Sequence, residues 1–302
     1  MPLSYDVEKE KSLRLLAIGN SHTNDTTWLL HEVFRKEMPQ VKAVISALYY
    51  SGCTVAKHLE FGAENTPAYE YYKNDTGVWN MRPQSTLDYG IADEPWDIVM
   101  LHEMNCNTIN PDTYKEPNIQ KLKDYVTART EKTPEFMWNL SWANPVDKAF
   151  FAPDHIPPVP TEFWVPAYEK SSGLNYTTMF TQVVDMTQKH VLPNVAFSAM
   201  TPTGTAICYA RNVLNQSELD LYRDYTHQND FGRLISAYVW YAVLTGKTEI
   251  TGVNVDVIPA ELRQPRAKKL GLGDMEITDE MKQVIVESVN YALKNPLTVP
   301  TV

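Results

Sequence analysis

The regular pattern of the chain begins with an apolar run of strand length, LRLLAIG at residues 13–19, which ends in glycine. A run of this length without polar alternation predicts a strand buried on both faces, as in a parallel sheet. Residues 24–38 then carry apolar side chains at helical spacing, and Asn24 or Asp25 is the expected N-cap. A buried strand followed directly by an amphipathic helix is typical of an α/β fold with right-handed crossovers.

The same alternation continues along the chain and predicts five parallel strands in all. Besides the first strand, we expect strands at 41–50, 96–103, 135–143 and 194–200, and helices at 51–62, 118–130, 174–191, 231–246 and 278–294. The segment TPTGTAICYARN, at 201–212, contains proline and glycine and is expected to be a loop.

A proline-rich segment at 144–166 interrupts this alternation with six prolines and no periodicity. Such a composition does not suit a helix or a central strand, and it predicts an ordered insertion or a lid. A chain of 302 residues is long enough to bury one large core. We therefore expect a single domain over residues 1–302, with an insertion at about 144–166.

Charge and apolar content limit the partners of the chain. The net charge of −10 leaves no basic stripe that could neutralise phosphates, which argues against a nucleic-acid partner. No apolar stretch reaches the length of about 18 residues that a membrane span needs.

The first twelve residues, MPLSYDVEKEKS, lack the apolar stretch of a signal peptide, which leaves the compartment open. The widely spaced Cys53, Cys106 and Cys208 are expected to be small buried residues rather than zinc ligands.

Ser21 directly follows the predicted first strand and is the first candidate for a chemical role. In open parallel sheets, ligands bind beyond the carboxyl ends of the strands, where Ser21 lies. A serine hydroxyl becomes a strong nucleophile only when a base takes its proton. His22 is adjacent, but neighbours on a tight turn point apart, so packing or capping is its expected role.

A better candidate for the base lies in YRDYTHQNDFG, where Asp224 and His227 stand three residues apart before a predicted helix. This spacing lets both side chains face the same way, with the carboxylate close enough to orient the imidazole. Taken alone the pattern is weak, since a surface acid and a capping histidine would produce it too.

Four blocks of sequence together resemble the SGNH (GDSL-like) hydrolases. They are IGNSH after the first strand, a glycine in YYSGCTVAKHL, the strand WDIVMLHE, and the late DYTH before a helix. PTGTAICYARN and VWYAVLTGK make the chain most similar to a bacterial branch, described as a domain of unknown function, that is related to carbohydrate esterases. The resemblance covers most of the chain. It implies a flavodoxin-like three-layer α/β/α sandwich with a central five-stranded parallel sheet, a Ser, His and Asp triad, and no metal or other cofactor.

Transferred to this sequence, the resemblance makes Ser21 the nucleophile, His227 the general base and Asp224 the group that orients His227. It also implies an oxyanion hole formed by the backbone N–H groups of Ser21 and Gly52 together with a side-chain donor from the third block. Glycine at position 52 lets the backbone approach a substrate closely, although an ordinary loop glycine would look the same.

The third block departs from the family pattern, because His102 stands where the related branch has glutamine. We expect His102 to supply the third oxyanion donor. Asn105 and Asn107, a little farther along, are the alternative donors, and a rim histidine with no role in catalysis is the alternative for His102 itself.

Three other functions fit parts of the sequence. An α/β-hydrolase would need G-x-S-x-G, whereas Thr23 occupies the second position after Ser21. An inactive carbohydrate-binding module could use the same fold. A metal-dependent phosphoesterase lacks any H-x-H or H-E-x-x-H spacing, although its ligands could be drawn from His22, Asp25, His102, Asp224 and His227.

The sequence therefore predicts a serine esterase that hydrolyses a small acyl ester through an acyl-enzyme, with an O-acetyl group on a carbohydrate as the expected substrate. The partner is a small-molecule or carbohydrate ester, and the resemblance is compatible with a secreted or periplasmic bacterial protein. Substrate-binding residues are not identified by sequence. Aromatic side chains could stack on a sugar ring, but packing is their commoner role, and the candidates near strand ends or in insertions are Tyr49, Tyr50, Tyr71, Tyr72, Trp79, Trp138, Trp142 and Trp164.

Overall fold

The computed structural model describes residues 3–144, 175–214, 219–224 and 226–301, and it contains a central sheet of seven strands. The strands are β1 (Ser12–Gly19), β2 (Lys42–Tyr49), β3 (Tyr69–Asn74), β4 (Trp79–Ser85), β5 (Ile98–Leu101), β6 (Glu135–Asn139) and β7 (Ala199–Thr201). Their order across the sheet is β4-β3-β2-β1-β5-β6-β7. A separate two-stranded sheet pairs Val257–Ile258 with Met275–Glu276.

Five parallel strands are confirmed, as β2, β1, β5, β6 and β7, which pair side by side. The fifth was predicted at 194–200, whereas β7 spans Ala199–Thr201, so only residues 199 and 200 of that prediction lie in the strand. Strand β1 lies between β2 and β5 and is almost entirely buried, as its unbroken apolar run predicts. The predicted total of five is too low, because β3 and β4 extend the sheet in antiparallel fashion beyond β2. These two strands, YEYYKN and WNMRPQS, have no apolar run because β3 is only partly buried and most of β4 is exposed to solvent.

Helices cover both faces of the sheet and produce the predicted three-layer α/β/α sandwich. The helices are α1 (Val7–Glu10), α2 (Ser21–Thr27), α3 (Leu30–Glu37), α4 (Val55–Glu64), α5 (Leu87–Ala92), α6 (Asn118–Thr127), α7 (Tyr176–Met186), α8 (Thr203–Val213), α9 (Asp230–Leu244), α10 (Pro265–Lys269) and α11 (Asp279–Lys294). One core joins the sheet to α3, α7, α8, α9 and α11, and the other joins it to α4, α5 and α6.

The helix predicted to follow β1, which is α2, begins earlier than predicted, because Asn20 rather than Asn24 or Asp25 is its N-cap. The Asn20 side chain accepts a hydrogen bond from the backbone N–H of His22 at 3.1 Å, which satisfies one of the free N–H groups of the first turn. The predicted helix over 24–38 is also two helices, since a turn at Trp28 and Leu29 separates α2 from α3.

The segment 201–212 was predicted to be a loop, and that prediction is wrong, because most of it forms helix α8. Pro202 occupies the N-cap position, where a proline does not interrupt helical hydrogen bonds. Ala206, Ile207 and Ala210 then bury one face of the helix in the core. Here tertiary burial outweighs the local tendency of proline and glycine to form turns.

The proline-rich segment predicted at 144–166 lies outside the described residues apart from Asn144. Its role as an insertion or lid, and the single-domain organisation of the chain, stay predictions. Cys53, Cys106 and Cys208 are buried, as predicted. Within the described ranges, no helix has the length and apolar character needed to cross a membrane.

Candidate active site

Ser21 lies at the carboxyl end of the central strand, where β1 turns into α2. The turn is closed by a reciprocal cap: Asn20 accepts from the first helical turn, and the backbone N–H of Asn20 donates to Thr23 Oγ1 at 3.2 Å. The tightness of this turn requires glycine at position 19, because a Cβ there would lie 2.0 Å from Thr23 Oγ1. The local sequence thus presents the Ser21 side chain beyond the sheet edge.

The structure brings Ser21, His227 and Asp224 into one hydrogen-bonded chain. His227 Nε2 lies 2.7 Å from Ser21 Oγ, and His227 Nδ1 lies 2.9 Å and 3.0 Å from the two carboxylate oxygens of Asp224. These distances are those of formed hydrogen bonds. Since Ser21 is separated from His227 by 206 positions, only the fold brings the base to the serine.

The loop that carries Asp224 and His227 is held by its own backbone. The N–H of Arg223 donates to the carbonyl of His227 at 3.0 Å, and Tyr222 pairs with Gln228 in an antiparallel bridge. Asp224 Oδ1 also accepts from the backbone N–H groups of Thr226 at 3.0 Å and His227 at 2.8 Å. The acid is therefore fixed beside the imidazole by the loop itself.

Asp224 is ionised in this environment. Burial by itself would raise the pKa of its carboxyl, but the hydrogen bond from His227, the nearby Arg223 and the backbone donor of Thr226 together hold that pKa well below its usual range. An ionised carboxylate can accept the Nδ1–H of His227 and balance a positive charge on the imidazole.

Gly52 follows the end of β2 and has a φ of +62°, a left-handed conformation that favours glycine. The Asn20 side chain donates from Nδ2 to the carbonyl of the next residue, Cys53, at 3.0 Å. Asn20 therefore links the turn that carries Ser21 to the turn that carries Gly52. One side chain thus connects the turn that contains Ser21 to the turn that contains Gly52, and the backbone N–H groups of these two residues are the ones expected to form the oxyanion hole.

The imidazole of His102 is buried beneath the Ser21 turn, and both its ring nitrogens have protein partners. Asn139 Oδ1 accepts from Thr201, Thr203 and Trp240, so Asn139 Nδ2 is oriented to donate to His102 Nε2, at 3.3 Å. The remaining ring proton then lies on Nδ1 and is donated to Thr23 Oγ1 at 3.3 Å. Burial lowers the pKa of His102 to about 3, so the ring is neutral and has no second N–H.

The two alternative donors of the third block are engaged as well. Asn105 Nδ2 donates to the carbonyl of Trp142 at 2.5 Å, and the Asn107 side chain hydrogen-bonds Glu103. Glu103 is itself buried and accepts from the backbone N–H of Val55 at 3.2 Å, at the start of α4. Glu103 therefore supports neighbouring backbone, and each of the three candidate donors, His102, Asn105 and Asn107, already donates to a protein acceptor.

A cleft of about 220 Å³ opens beside Ser21. The side chains around it combine aromatic surface with donors and acceptors, and they are Ser21, Asn24, Trp28, Tyr49, Glu70, Tyr72, Arg223 and Arg233. Glu70 and Tyr72 come from β3, one of the strands that the sequence pattern missed. Tyr49 and Tyr72 were among the aromatic candidates, whereas Trp138 and Trp142 are core residues. Trp28, Arg223 and Arg233 were not predicted, although Arg223 stands directly before Asp224 in the sequence.

His22 packs beside the site, in agreement with its predicted role. Its ring stacks on Trp142 with centroids 4.3 Å apart, and its Nε2 lies 2.8 Å from Thr226 Oγ1. Burial, followed by the nearby imidazoles of His227 and His102, lowers the pKa of His22 well below its ordinary value. His22 is therefore a neutral packing partner of the loop that carries Asp224 and His227.

The residues named for a metal centre are committed to other contacts. Asp25 receives hydrogen bonds from Arg223 and Arg233 on Oδ1 and from the backbone N–H of Gln228 on Oδ2. In the part of the chain that the structure describes, no group of three or more His, Cys, Asp or Glu side chains is placed to hold a metal ion.

Comparison with known proteins gives a family match over most of the chain. Residues 14–254 match the family described as Domain of unknown function (DUF4886). Among proteins with curated descriptions, none is significantly similar to the chain.

Several solved structures have folds similar to that of this chain. A DUF4886 family protein from Bacteroides uniformis is 24% identical, with 96% of this chain and 97% of that chain covered and a TM-score of 0.72. A putative SGNH hydrolase from Slackia heliotrinireducens is 16% identical, with 77% and 99% covered and a TM-score of 0.49. An acetylxylan esterase from Geobacillus stearothermophilus is 13% identical, with 77% and 94% covered and a TM-score of 0.38. The first similarity concerns the fold alone, and the other two are weaker.

Proposed function

The chain belongs to the DUF4886 family, and we propose that it is a serine esterase that removes a small acyl group, with an O-acetyl group on a carbohydrate as its substrate. The observation that carries this proposal is the continuous hydrogen-bonded chain from Ser21 through His227 to Asp224. A serine within 2.7 Å of an imidazole that is oriented by an ionised carboxylate is the arrangement that activates a hydroxyl for acyl transfer.

In this mechanism Ser21 Oγ attacks the ester carbonyl and His227 Nε2 takes the hydroxyl proton. Asp224 accepts the Nδ1–H of His227 throughout, which fixes the tautomer and balances the imidazolium. His227 then returns the proton to the leaving alcohol, and an acyl group stays on Ser21. Water repeats the same sequence on the acyl-enzyme, releases the acid and restores the Ser21 hydroxyl.

The oxyanion would be held by the backbone N–H groups of Ser21 and Gly52. The Ser21 N–H occupies the first position of α2, where the helix has no carbonyl for it. The expected third donor, His102, stays a prediction that the geometry disfavours, because its single N–H is donated to Thr23. We propose instead that His102 supports the Ser21 turn from below.

The side chains that line the cleft beside Ser21 favour binding of an ester whose alcohol part is polar and ring-shaped. Its aromatic surface comes from Trp28 and Tyr72, whose rings lie 5.8 Å apart in an edge-to-face arrangement. Carboxylate and guanidinium groups on its walls can accept from and donate to hydroxyls, which a sugar offers on every face. A purely aliphatic alcohol would displace water from these polar groups without offering them a hydrogen bond, at a cost in binding free energy.

The test is labelling with a fluorophosphonate probe, followed by mass-spectrometric mapping and an assay of acetate release. We expect one label, on Ser21, and release of acetate from acetylated saccharides. Ser21→Ala should take up no label and lose hydrolysis by at least about 10³-fold, with the thermal unfolding transition retained.

Three results would argue against the proposal. They are labelling at another residue, more than about a tenth of native activity in Ser21→Ala, or saccharide binding without any labelling, as a binding module would show. Activity that EDTA abolishes and a divalent ion restores would favour a metal-dependent enzyme.

A further inference from the structure

Asp25 lies one helical turn after Ser21 on α2 and reaches the loop that carries the acid and the base. Its side chain is fully buried. Asp25 Oδ1 accepts from Arg223 Nη1 at 2.8 Å, and Asp25 Oδ2 accepts from the backbone N–H of Gln228 at 3.0 Å. Arg223 directly precedes Asp224, and Gln228 directly follows His227. The carboxylate therefore holds both ends of the catalytic loop.

A second arginine, from α9, completes the cluster. Arg233 Nε and Nη2 lie 2.8 Å and 2.7 Å from Asp25 Oδ1. Burial alone would raise the pKa of Asp25, but Arg223 and Arg233 outweigh it and lower that pKa to about 2. One ionised carboxylate therefore joins three elements, namely the nucleophile helix, the catalytic loop and α9.

The contacts of the loop separate into two kinds. Those inside the loop, from Asp224 to the backbone of Thr226 and His227, set the acid beside the base. Those that cross to other elements set the distance from this pair to Ser21. Thr226 makes crossing contacts with His22 and with Trp142 Nε1. Asp25, on the helix of Ser21, accepts both from the Arg223 side chain, just before Asp224, and from the Gln228 backbone, just after His227.

We propose that Asp25 is a positioning residue, which sets the separation between His227 and the Ser21 hydroxyl by anchoring both ends of the catalytic loop to the nucleophile helix. This inference rests on the proposed esterase function. Removing the negative charge leaves the buried guanidinium of Arg233 beside the partly buried guanidinium of Arg223, and these two positive groups repel and displace the loop. A displacement of about 1 Å between reacting groups can cost on the order of 10²-fold in rate.

The test compares Asp25→Asn with a matched control at the other end of the sheet, Asp97→Asn. Asp97 is a buried carboxylate just before β5 that accepts the backbone N–H of Arg14 at 2.7 Å and pairs with Lys132. Both variants should lose thermal stability. Only Asp25→Asn should lower kcat for a short aryl ester and the rate of fluorophosphonate labelling, by about 10²-fold, with KM changed by less than about threefold.

Amide hydrogen exchange provides a readout that does not depend on activity. Asp25→Asn should speed exchange across residues 223–229 more than in α11, whereas Asp97→Asn should not. If Asp25→Asn does not fold, Arg223→Met takes its place, because it removes one anchor and one of the two repelling charges. Its kcat should fall by at least about tenfold.

Unchanged kcat, labelling and loop exchange in a folded Asp25→Asn protein, or in Arg223→Met where that variant is used, would overturn the positioning role. A native protein that is neither labelled nor active would instead overturn the proposed function. In that case the exchange measurement alone decides whether Asp25 anchors the loop.

Discussion

The side chain of Asn20 donates a hydrogen bond from Nδ2 to the carbonyl oxygen of Cys53 at 3.0 Å, and so joins the two turns that would hold the oxyanion. Asn20 also caps α2 through Oδ1. Asn20→Asp keeps the capping acceptor but replaces the donor with a negative charge that faces the Cys53 carbonyl. We expect kcat to fall by about 10- to 10²-fold, because the Gly52 N–H moves away from the developing charge.

The control for this prediction is Asn20→Ala, which loses the cap as well as the link. It should lower the free energy of unfolding by about 1 kcal/mol more than Asn20→Asp does, measured by urea denaturation. Native kcat in the aspartate variant would show that the link to Cys53 has no part in the reaction.

Asp224→Asn tests how His227 is oriented. An amide can occupy the same space, but it presents one oxygen and an NH₂ group, so it favours the wrong tautomer and does not balance the imidazolium. We expect kcat to fall by about 10² to 10⁴-fold with a much smaller change in KM, measured on a short-chain aryl ester. An unchanged kcat would mean that another group orients the imidazole.

His102 should matter for stability more than for catalysis. Because its N–H is donated to Thr23 and its Nε2 accepts from Asn139, His102→Ala leaves buried partners unsatisfied, at a cost of about 1 to 3 kcal/mol in the free energy of unfolding. We expect kcat to change by less than about tenfold.

His102→Gln decides between this role and the oxyanion role. If His102→Ala lost about 10²- to 10³-fold in kcat at unchanged KM, and His102→Gln recovered it, His102 would be the third donor. Alanine variants at Asn105 and Asn107 would then serve as controls, since each of these amides is engaged elsewhere.

The buried carboxyl of Glu103 should make the free energy of unfolding depend on pH. Burial raises its pKa to about 7, against an ordinary value of 4.5, although backbone N–H groups of Met104 and Val55 donate to it. The folded protein therefore binds this proton more tightly than the unfolded chain does. The resulting contribution to stability is complete below about pH 4.5 and is lost as the pH rises through about 7.

Glu103→Gln removes this titration. The free energy of unfolding of the variant, measured relative to the native protein by urea denaturation, should rise by on the order of 3 kcal/mol between about pH 4 and pH 8. A difference that stays constant over this range would show that Glu103 does not hold the proton.

The fold could be predicted where the pattern is local and apolar. The apolar run that ends at Gly19 predicted a buried strand, and five such runs predicted the parallel part of the sheet, although the last, at 194–200, overlaps β7 only at residues 199 and 200. Strands β3 and β4 escaped prediction because β3 is only partly buried and most of β4 is exposed, so neither strand needs an apolar run. Helix α8 escaped because Pro202 and Gly204 resemble turn residues until burial in the core decides otherwise.

For the candidate site, the sequence by itself placed Ser21 at a strand-to-helix junction and Asp224 within reach of His227, because both features depend on neighbouring residues. Only the tertiary structure decided that His227 lies 2.7 Å from Ser21, that the His102 N–H is donated to Thr23, and that Asp25 accepts hydrogen bonds from Arg223 and Gln228. The reason is physical. A side chain's hydrogen-bond partner is chosen by which distant elements pack against it, and burial then makes that choice costly to change.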